Sequence, residues 1–388
     1  MMLSLRLLAF SLGRILPLLS LLASPTSHTL RNPKSYRLLV SDLGELRIHR
    51  FHSAVAVVLF TPMAQDNPTQ PHQVLLLLPS HCFTALESKA SHKFHFLKAW
   101  DSPLPQAQFL QSHATSSQVL LSFPKETPIT AQLLQLLPSL KLLITISAGL
   151  DRVDLAACRA RGVRIANSSP IFAGDVADMA VGLFLDVMRK ISAANRYVRD
   201  GFWVSGGDFV LGSKVGGKRV GIVGLGHIGL QVAKRLEAFD CKILYNSRKE
   251  KPSVSYPFYS DVCELAANSD VLVICCALTA QTRHMINKKV LLALGREGVI
   301  VNVGRGAIID EKEMVQCLVQ GEIKGAGLDV FENEPQVPKE LFELDNVVLS
   351  PHKAVLTADC FTDVTDLAMA NLEAFFSNKP LLSEVVNY

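Results

Sequence analysis

The sequence predicts an α/β fold with two doubly wound parallel sheets, and two observations carry this prediction. From residue 72 onward, apolar runs of strand length alternate with segments of helical periodicity, which is the pattern of a parallel sheet covered by helices on both faces. The runs are continuous in Val, Ile and Leu, as expected of strands buried on both faces. A long helical stretch and a Gly-rich turn separate the runs into two series, so we expect two sheets.

The predicted elements follow the chain in order. Four strands are predicted in the first series, at Gln73–Pro79, Gln118–Phe123, Lys141–Ser147 and Val163–Asn167. A helix is predicted over Asp175–Arg199 and a Gly-rich turn over Gly201–Gly217. Six strands are predicted in the second series, at Arg219–Gly224, Lys242–Ser247, Asp270–Cys276, Gly298–Gly304, Gly325–Phe331 and Asn346–Ser350. A last helix is predicted near residues 362–376.

The composition favours a packed enzyme. Of 388 residues, 49% are hydrophobic and 19% are charged, which argues against a disordered chain. The net charge of +4 lies in the first 62 residues, which hold seven Lys or Arg and two acids, so the remainder is nearly neutral. We therefore expect no nucleic-acid partner. The eight cysteines form no CxxC pair and no ligand register with His, so we expect neither a metal site nor a disulfide framework.

The first 71 residues are predicted to be an extension outside the fold. Residues 1–62 are rich in Leu, Arg and Ser, and their apolar run Ile15–Ala23 is too short to span a membrane. They suit an organellar or secretory targeting segment. Equally, Met63 precedes a polar stretch typical of a natural N-terminus, which would make the upstream part dispensable. The protein is then expected in the cytoplasm, and otherwise in the chloroplast or mitochondrion.

A glycine-rich turn joins the first strand of the second series to a helix predicted at Ile228–Phe239. Its GxGxxG motif comprises Gly224, Leu225, Gly226, His227, Ile228 and Gly229. The first glycine permits the tight turn, the second lets the backbone approach a pyrophosphate, and the third lets helix and strand pack closely. Because the N–H groups of the helix start would face the phosphates, these six residues are predicted to bind a dinucleotide.

The end of the next strand indicates which dinucleotide binds. Asn246 stands where an NAD-preferring site usually places Asp or Glu for the ribose 2′-hydroxyl. Ser247, Arg248 and Lys249 follow and offer a hydroxyl and two positive charges to a 2′-phosphate. We therefore expect NADP, with NADPH preferred. The alternative is an ordinary solvated turn, with NAD as the cofactor.

Three candidate catalytic residues, Arg305, Glu334 and His352, follow predicted strands. They should therefore lie at the carboxyl ends of the strands, where open α/β sheets bind ligands. Taken singly, Arg305 could cap a turn, Glu334 could be a surface acid and His352 could be a core histidine. Asp329 lies 24 residues, Glu334 29 residues and His352 47 residues after Arg305. This order and spacing resemble the D-isomer-specific 2-hydroxyacid dehydrogenase family.

Motifs of the first half extend the resemblance over about residues 72–388. Ser147–Asp151 with Val153–Asp154, Arg161–Asn167 and Asp175–Ala180 occur in the family's order. The subgroup that the chain resembles is the glyoxylate/hydroxypyruvate reductases, notably the plant type. The resemblance implies a Rossmann cofactor domain, residues 168–350, inserted into a flavodoxin-like substrate domain, residues 72–167 plus 351–388.

The resemblance also implies a reaction, in which NADPH reduces glyoxylate or hydroxypyruvate to glycolate or D-glycerate. Arg305 would hold the substrate's carboxylate and carbonyl oxygen, and the N–H groups of Ala148 and Gly149 would add donors. His352 would deliver the proton, because imidazole exchanges protons near neutral pH, and Glu334 would orient the ring.

The remaining expectations come from the same resemblance. Asp329 would hold the nicotinamide carboxamide, and Cys276 and Val303 complete the predicted cofactor-binding set. We expect a homodimer, in which Trp203 either reaches the neighbouring subunit's pocket or packs as an ordinary aromatic residue. We expect no membrane partner.

Two departures from the family pattern bear on the pocket. Lys353, Ala354 and Val355 follow the histidine where the family often has Ile-Gly-Ser, and Ala277 stands where Pro is common. Either could alter pocket width and hence substrate preference. Two alternatives stay open: an NAD-dependent D-2-hydroxyacid dehydrogenase of another substrate, and a dinucleotide-sensing regulatory protein of the same fold.

Overall fold

The computed structural model describes residues 71–124 and 127–386, and the backbone of two short antiparallel strands, β1 (Ile48–Arg50) and β2 (Ala56–Val58). The chain divides into two units, Met1–Thr69 and Gln70–Tyr388, and both large sheets lie in the second. Apart from these strands and residue 71, the predicted extension falls outside the described residues. The expectations about targeting and localisation concern the same residues and therefore stay predictions.

The first large sheet has five parallel strands. They are β3 (His72–Leu76), β4 (Phe94–Lys98), β5 (Val119–Ser122), β6 (Leu142–Thr145) and β7 (Arg164–Ala166). Their spatial order, β4-β3-β5-β6-β7, is the flavodoxin-like order, so this part of the predicted fold class is confirmed. The prediction missed β4. This strand lies at the sheet edge, where His95 is exposed between two buried phenylalanines, so it lacks the continuous apolar run on which the prediction relied.

Helices cover both faces of this sheet. They are α1 (His81–Ala90), α2 (Gln106–His113), α3 (Ala131–Gln135) and α4 (Leu155–Ala160). Thr130 and Asp154 start α3 and α4 by accepting hydrogen bonds from the N–H groups of Leu133 and Ala157, at 3.2 and 2.9 Å. These caps fix the ends of the loops that precede the helices.

The helix predicted over Asp175–Arg199 differs from the structure at both its start and its middle. Helix α5 spans Ser169–Arg189, with a proline in its first turn where the missing N–H costs no hydrogen bond. Lys190 adopts a left-handed conformation, φ 56°, which interrupts the helix before α6 (Ile191–Arg199). The turn predicted over Gly201–Gly217 contains a short helix, α7 (Phe202–Ser205).

The second large sheet has six parallel strands, and all six were predicted with ends within a few residues. They are β8 (Arg219–Val223), β9 (Lys242–Asn246), β10 (Val271–Ile274), β11 (Val299–Asn302), β12 (Gly325–Leu328) and β13 (Val347–Leu349). Their order is β13-β12-β11-β10-β8-β9. A parallel bridge between Tyr245 and Phe258 adds a minimal strand beyond β9. With this added strand the sheet has the Rossmann strand order. Successive strands are added to one side of β8 as far as β9 and to its other side from β10 onward, so the topological switch point lies between β8 and β10.

Helices also cover this sheet, and the chain then returns to the first one. They are α8 (His227–Glu237), α9 (Val262–Ala267), α10 (Lys288–Leu294), α11 (Glu311–Val319) and α12 (Ala358–Phe376). Helix α12 packs against α1, and Val385 N–H donates to the carbonyl of Ile165 at 2.8 Å. The strands of the two sheets fall on either side of the predicted limits at 167/168 and 350/351, and these domain limits stay a prediction.

Helix α5 connects the two sheets through one hydrophobic core. Its buried residues Phe172, Val176 and Ala180 belong to a cluster that includes Leu121 of β5 and Val301 of β11. Because both sheets share this core, the carboxyl ends of their strands are held facing one another. In the described part of the chain, no helix is long and apolar enough to cross a bilayer.

Candidate active site

A cavity of about 660 Å³ lies where the carboxyl ends of the two sheets face each other. The first sheet contributes residues that follow β5 and β6, and the second contributes residues that follow β11, β12 and β13. Eight residues of the predicted site line it: Ala148, Gly149, Ile228, Val303, Arg305, Asp329, Glu334 and His352. This is the position at which open α/β sheets bind ligands.

The turn that carries Arg305 is fixed by a buried asparagine. Asn302, the last residue of β11, accepts from Gly304 N–H and donates from Nδ2 to the carbonyl of Arg305, both at 3.0 Å. Gly306 packs directly on the backbone of Phe331, and a Cβ there would overlap it. The backbone on both sides of Arg305 is therefore immobilised by the second sheet.

The side chain of Arg305 reaches across the cavity to the first sheet. Its Nε donates to Oδ1 of Asp151, at 3.1 Å, and its Nη1 donates to the carbonyl of Gly304, at 2.8 Å. The guanidinium also lies so close to Gly149 that a Cβ on this glycine would overlap it. The guanidinium is thus held beside the loop Ser147–Asp151.

That loop carries two candidate backbone donors, on residues that line the cavity. The carbonyl of Ala148 accepts from Nδ2 of Asn167, at 3.0 Å, and the carbonyl of Gly149 accepts from Oγ of Ser147, at 2.8 Å. The N–H groups of Ala148 and Gly149 have no acceptor among the residues that the structure describes. Two such N–H groups beside a guanidinium are donors suited to a carboxylate.

His352 follows β13 and contacts Glu334, as the prediction requires. The Nδ1 atom lies 2.7 Å from Oε2 and 2.9 Å from Oε1 of Glu334, and Oε1 also accepts from Phe331 N–H at 3.2 Å. Since a carboxylate only accepts, Nδ1 carries a proton, and Nε2 is the ring nitrogen that can exchange one with a ligand. The pair has the geometry of an oriented acid–base group.

Asp329 has a contact that the sequence did not predict. This carboxylate is 1% exposed, and it accepts from Ser350 Oγ at 2.6 Å and from the N–H groups of Lys353 and Ala354 at 3.0 and 3.1 Å. These bonds hold the turn in which His352 adopts φ 51°, a left-handed conformation that a histidine seldom takes. Asp329 therefore fixes the histidine turn, and its predicted contact with the nicotinamide stays a prediction.

A buried acid fixes the loop that carries Glu334. Glu311, at the start of α11, accepts from Glu332 N–H at 3.0 Å, and Nε2 of His284 lies 2.7 Å from Oε1 of Glu332. Burial raises the pKa of Glu311, and the negative charges of Glu332 and Glu334 raise it further. The loop is thus anchored from both sides.

The GxGxxG turn fits a dinucleotide. Gly224 adopts φ 97° and lies against Cys276, and a Cβ on Gly229 would overlap the carbonyl of Gly224, whereas the space beside Gly226 is open. Only a glycine permits the close packing at the first and third positions, and the open second position lets a pyrophosphate approach the helix start. The side chain of Leu225 is buried in the core, so only its backbone can face a ligand.

The turn after β9 places the predicted phosphate-binding residues at the surface. The side-chain amide of Asn246 donates to the carbonyls of Tyr259 and Ser260, at 2.8 and 3.1 Å, so it braces this turn. The hydroxyl of Ser247 donates to the carbonyl of Lys249, at 2.5 Å. Arg248 and Lys249 are exposed, as is His227 in the glycine-rich turn. The turn therefore offers two cations to solvent and no carboxylate at the end of β9.

Sequence reasoning missed several residues of this site. Asp151 and Asn167 belong to the motifs Ser147–Asp151 and Arg161–Asn167, but the sequence assigned no role to either side chain. Asn302 belongs to the predicted strand Gly298–Gly304 and was not predicted as a site residue. The signal for Asn302 was a single polar residue within the run Gly298–Gly304, because a buried polar side chain needs hydrogen-bond partners. The aromatic wall of the cavity, which includes Phe123 and Phe172, carried no local signal.

The chain matches a known family in the same region. Residues 181–354 match the family described as D-isomer specific 2-hydroxyacid dehydrogenase, NAD binding domain. The chain belongs to this family. It is therefore an NAD(P)-dependent oxidoreductase, and it reduces 2-oxo acids. The prediction of the family is confirmed, and the regulatory alternative is set aside.

Three relatives place the chain within the family. It is 59% identical over 277 residues to the glyoxylate/hydroxypyruvate reductase HPR3 of Arabidopsis thaliana, which covers 71% of this chain and 85% of the relative. It is 48% identical over 313 residues to a hydroxyphenylpyruvate reductase of Plectranthus scutellarioides, covering 81% and 98%. The solved NADPH-dependent glyoxylate/hydroxypyruvate reductase of Sinorhizobium meliloti, in complex with NADP and malonate, superposes with a TM-score of 0.75 at 32% identity, covering 81% and 97%.

Proposed function

We propose that this enzyme uses NADPH to reduce glyoxylate and hydroxypyruvate to glycolate and D-glycerate. Arg305 holds the substrate, and His352 with Glu334 supplies the proton. The observation that carries the proposal is the meeting of this guanidinium, the imidazole–carboxylate pair and two backbone N–H groups in one cavity. Relatives named as glyoxylate/hydroxypyruvate reductases support the substrate assignment.

Each group has a distinct task in the reaction. The donors that Arg305 keeps after its bonds to Asp151 and Gly304, together with the N–H groups of Ala148 and Gly149, hold the substrate carboxylate and orient carbon 2. A bound NADPH supplies the hydride to that carbon. His352 Nε2 donates a proton to the carbonyl oxygen as negative charge develops on it. The 2-oxo acid thereby gains a hydride and a proton and becomes the 2-hydroxy acid.

Truncation of Arg305 and His352 tests the site. We expect Arg305→Ala and His352→Ala each to lower kcat/KM for glyoxylate by about 10²–10⁴-fold, with the Kd for NADPH nearly unchanged. Arg296→Ala is the matched control, because Arg296 is exposed and precedes β11 at the opposite end of the strand from Arg305. Retained activity in either cavity variant would contradict the assignment of that residue.

The preference for NADPH rests on the turn after β9. It lacks a carboxylate at the position of Asn246, and Arg248 and Lys249 are exposed beside it. We expect Arg248→Ala to raise KM for NADPH about tenfold and to leave KM for NADH within about twofold, because the guanidinium would pair with the 2′-phosphate, which NADH lacks. Lys242→Ala, at the exposed start of β9, is the control. An equal change for both cofactors would contradict this role.

A second candidate substrate class is an aryl 2-oxo acid such as 4-hydroxyphenylpyruvate. The side chains of Phe123, Ile146, Phe172, Val176 and Val355 give the cavity an extended apolar wall. Such a wall favours a large apolar group on carbon 3, and one relative is named a hydroxyphenylpyruvate reductase. Comparing kcat/KM for glyoxylate, hydroxypyruvate and 4-hydroxyphenylpyruvate decides between the classes, and the substrate with the highest value is the assigned one.

We further propose that the enzyme is a homodimer. Exposed apolar side chains concentrate between residues 191 and 211, at Ile191, Val198, Phe202, Trp203, Val204, Val210 and Leu211. Val204 is 96% and Leu211 92% exposed. Because monomeric soluble proteins seldom expose large apolar surfaces, this concentration of exposed apolar side chains in one segment supports a second copy of the chain as its cover.

A further inference from the structure

An ion pair joins the two sheets across the candidate active site. Asp151 follows β6 of the first sheet, and Arg305 follows β11 of the second, 154 residues later in the chain. The Nε–Oδ1 distance is 3.1 Å, and the side chains are 28% exposed for Arg305 and 18% for Asp151. The pair is thus largely shielded from solvent and spans the space in which the substrate binds.

Asp151 projects from a rigid backbone. The N–H of Ile129 donates to the carbonyl of Arg152 at 2.9 Å, and the N–H of Asp154 donates to the carbonyl of Ile129 at 2.8 Å. The N–H of Val153 donates to the carbonyl of Leu150 at 3.0 Å, which closes the turn around Asp151. The carboxylate is therefore a fixed point against which the flexible side chain of Arg305 can be oriented.

The donors of Arg305 are divided between protein and cavity. A guanidinium has five N–H donors. The Nε–H of Arg305 donates to Asp151, and one N–H of Nη1 donates to the carbonyl of Gly304. The other N–H of Nη1 and both of Nη2 have no acceptor within residues 71–124 and 127–386. Nη2 is the atom that lies against Gly149, next to the two N–H groups of the loop. Holding the Nε side therefore turns the Nη edge toward the substrate.

We propose that Asp151 is a positioning residue, which orients Arg305 across the cleft so that the Nη edge receives the substrate carboxylate. This inference rests on the proposed role of Arg305. Asp151 acts through the position of its acceptor oxygen, and its negative charge is secondary. A carboxylate that merely competed with the substrate for Arg305 would have the opposite effect on substrate affinity.

Three variants of Asp151 separate position from charge. Asp151→Asn keeps an acceptor for Nε at the same place, and we expect kcat/KM for glyoxylate to stay within about fivefold of the parent. Asp151→Glu keeps the charge and shifts it by one methylene, and Asp151→Ala removes the acceptor. We expect each variant to lower kcat/KM for glyoxylate roughly 10- to 100-fold. If Asp151→Glu kept kcat/KM close to that of the parent while Asp151→Asn lowered it strongly, the charge would matter more than the position, and the positioning role would be overturned.

Binding measurements provide a readout independent of turnover. Calorimetry with oxalate, a dicarboxylate that cannot be reduced, gives substrate-site affinity in the presence of NADP⁺. We expect Asp151→Ala to weaken oxalate binding about tenfold and to leave the Kd for NADP⁺ unchanged. Tighter oxalate binding would show competition and overturn the proposal. Asp154→Asn, three residues away at the cap of α4, controls for loop stability and should leave oxalate affinity unchanged.

A double-mutant cycle with Arg305→Ala completes the test. If Asp151 acts through Arg305, adding Asp151→Ala to Arg305→Ala should change oxalate affinity by less than about twofold. If Asp151→Ala weakens oxalate binding equally in the parent and in Arg305→Ala, Asp151 acts through the fold and not through Arg305. That result would overturn the positioning role of Asp151 and leave the proposed function standing. Full activity of Arg305→Ala would overturn the proposed function itself, so the two failures are distinguishable.

Discussion

Replacing Gly149 by alanine perturbs the candidate site where Arg305 and Asp151 meet. An added Cβ would lie 2.9 Å from Cζ of Arg305 and 2.5 Å from Oδ1 of Asp151, whereas ordinary contacts begin at 3.4 Å. Nη2 of Arg305 would lie closer still, so the guanidinium or the loop must move by about 1 Å or slightly more. Because a misplacement of about 1 Å can cost about 100-fold in rate, we expect kcat/KM for glyoxylate to fall roughly 10- to 100-fold, or about 1.4–2.7 kcal/mol.

The assay compares turnover, cofactor binding and stability of Gly149→Ala. The backbone of Gly149 is not in the left-handed region, so alanine is compatible with it, and we expect the Tm to change by less than about 4 °C. The Kd for NADPH should be unchanged. Gly182→Ala is the matched control, because this glycine of α5 has no neighbour within 4 Å of the added Cβ. Activity of Gly149→Ala within threefold of the parent would refute the reasoning.

Three further predictions concern orientation, acid stability and assembly. Glu334→Gln should lower kcat about 10²-fold or more, because a neutral amide cannot balance positive charge on the imidazole and its NH2 group can donate to Nδ1, which favours the other tautomer of His352; unchanged kcat would contradict this. The hydrogen bonds from Arg164 lower the pKa of Glu384, so the pair stabilises the fold above the carboxylate's unfolded pKa and loses this effect as pH falls through the lowered value. Glu384→Gln should therefore cost about 0.5–1 kcal/mol at pH 7, and the difference in unfolding free energy between variant and parent should shrink as pH falls below the carboxylate's unfolded pKa. Val204→Asp should convert a dimer to a monomer in light scattering, and a persistent dimer would exclude this surface as the interface.

Strands buried on both faces were predictable, and the edge strand was not. The six strands of the second sheet are continuous apolar runs, which few other structures produce. Strand Phe94–Lys98 alternates because one of its faces meets solvent, so it resembles a loop to any search for continuous runs. The break at Lys190 has no local signal either, because lysine has no preference for the left-handed conformation that the packing imposes.

The candidate site was predictable as a set of residues and unpredictable as a set of contacts. Arg305, Glu334 and His352 were found because their spacing along the chain matches a family pattern. The bond from Arg305 to Asp151 joins residues of different sheets, and no periodicity of the sequence encodes it. The same holds for Asp329, whose contacts with the turn of His352 appear only when β12 and β13 lie side by side.

The transfer of hydrogen from NADPH to carbon 2 tests the central claim most directly. The enzyme would be supplied with glyoxylate and with NADPH deuterated at C4 of the nicotinamide, on each face in turn, and the product would be analysed by mass spectrometry. We predict glycolate with one deuterium on carbon 2 from one of the two labelled cofactors, and unlabelled glycolate from the other. Absence of glycolate, or glycolate without deuterium from both cofactors, would contradict the account.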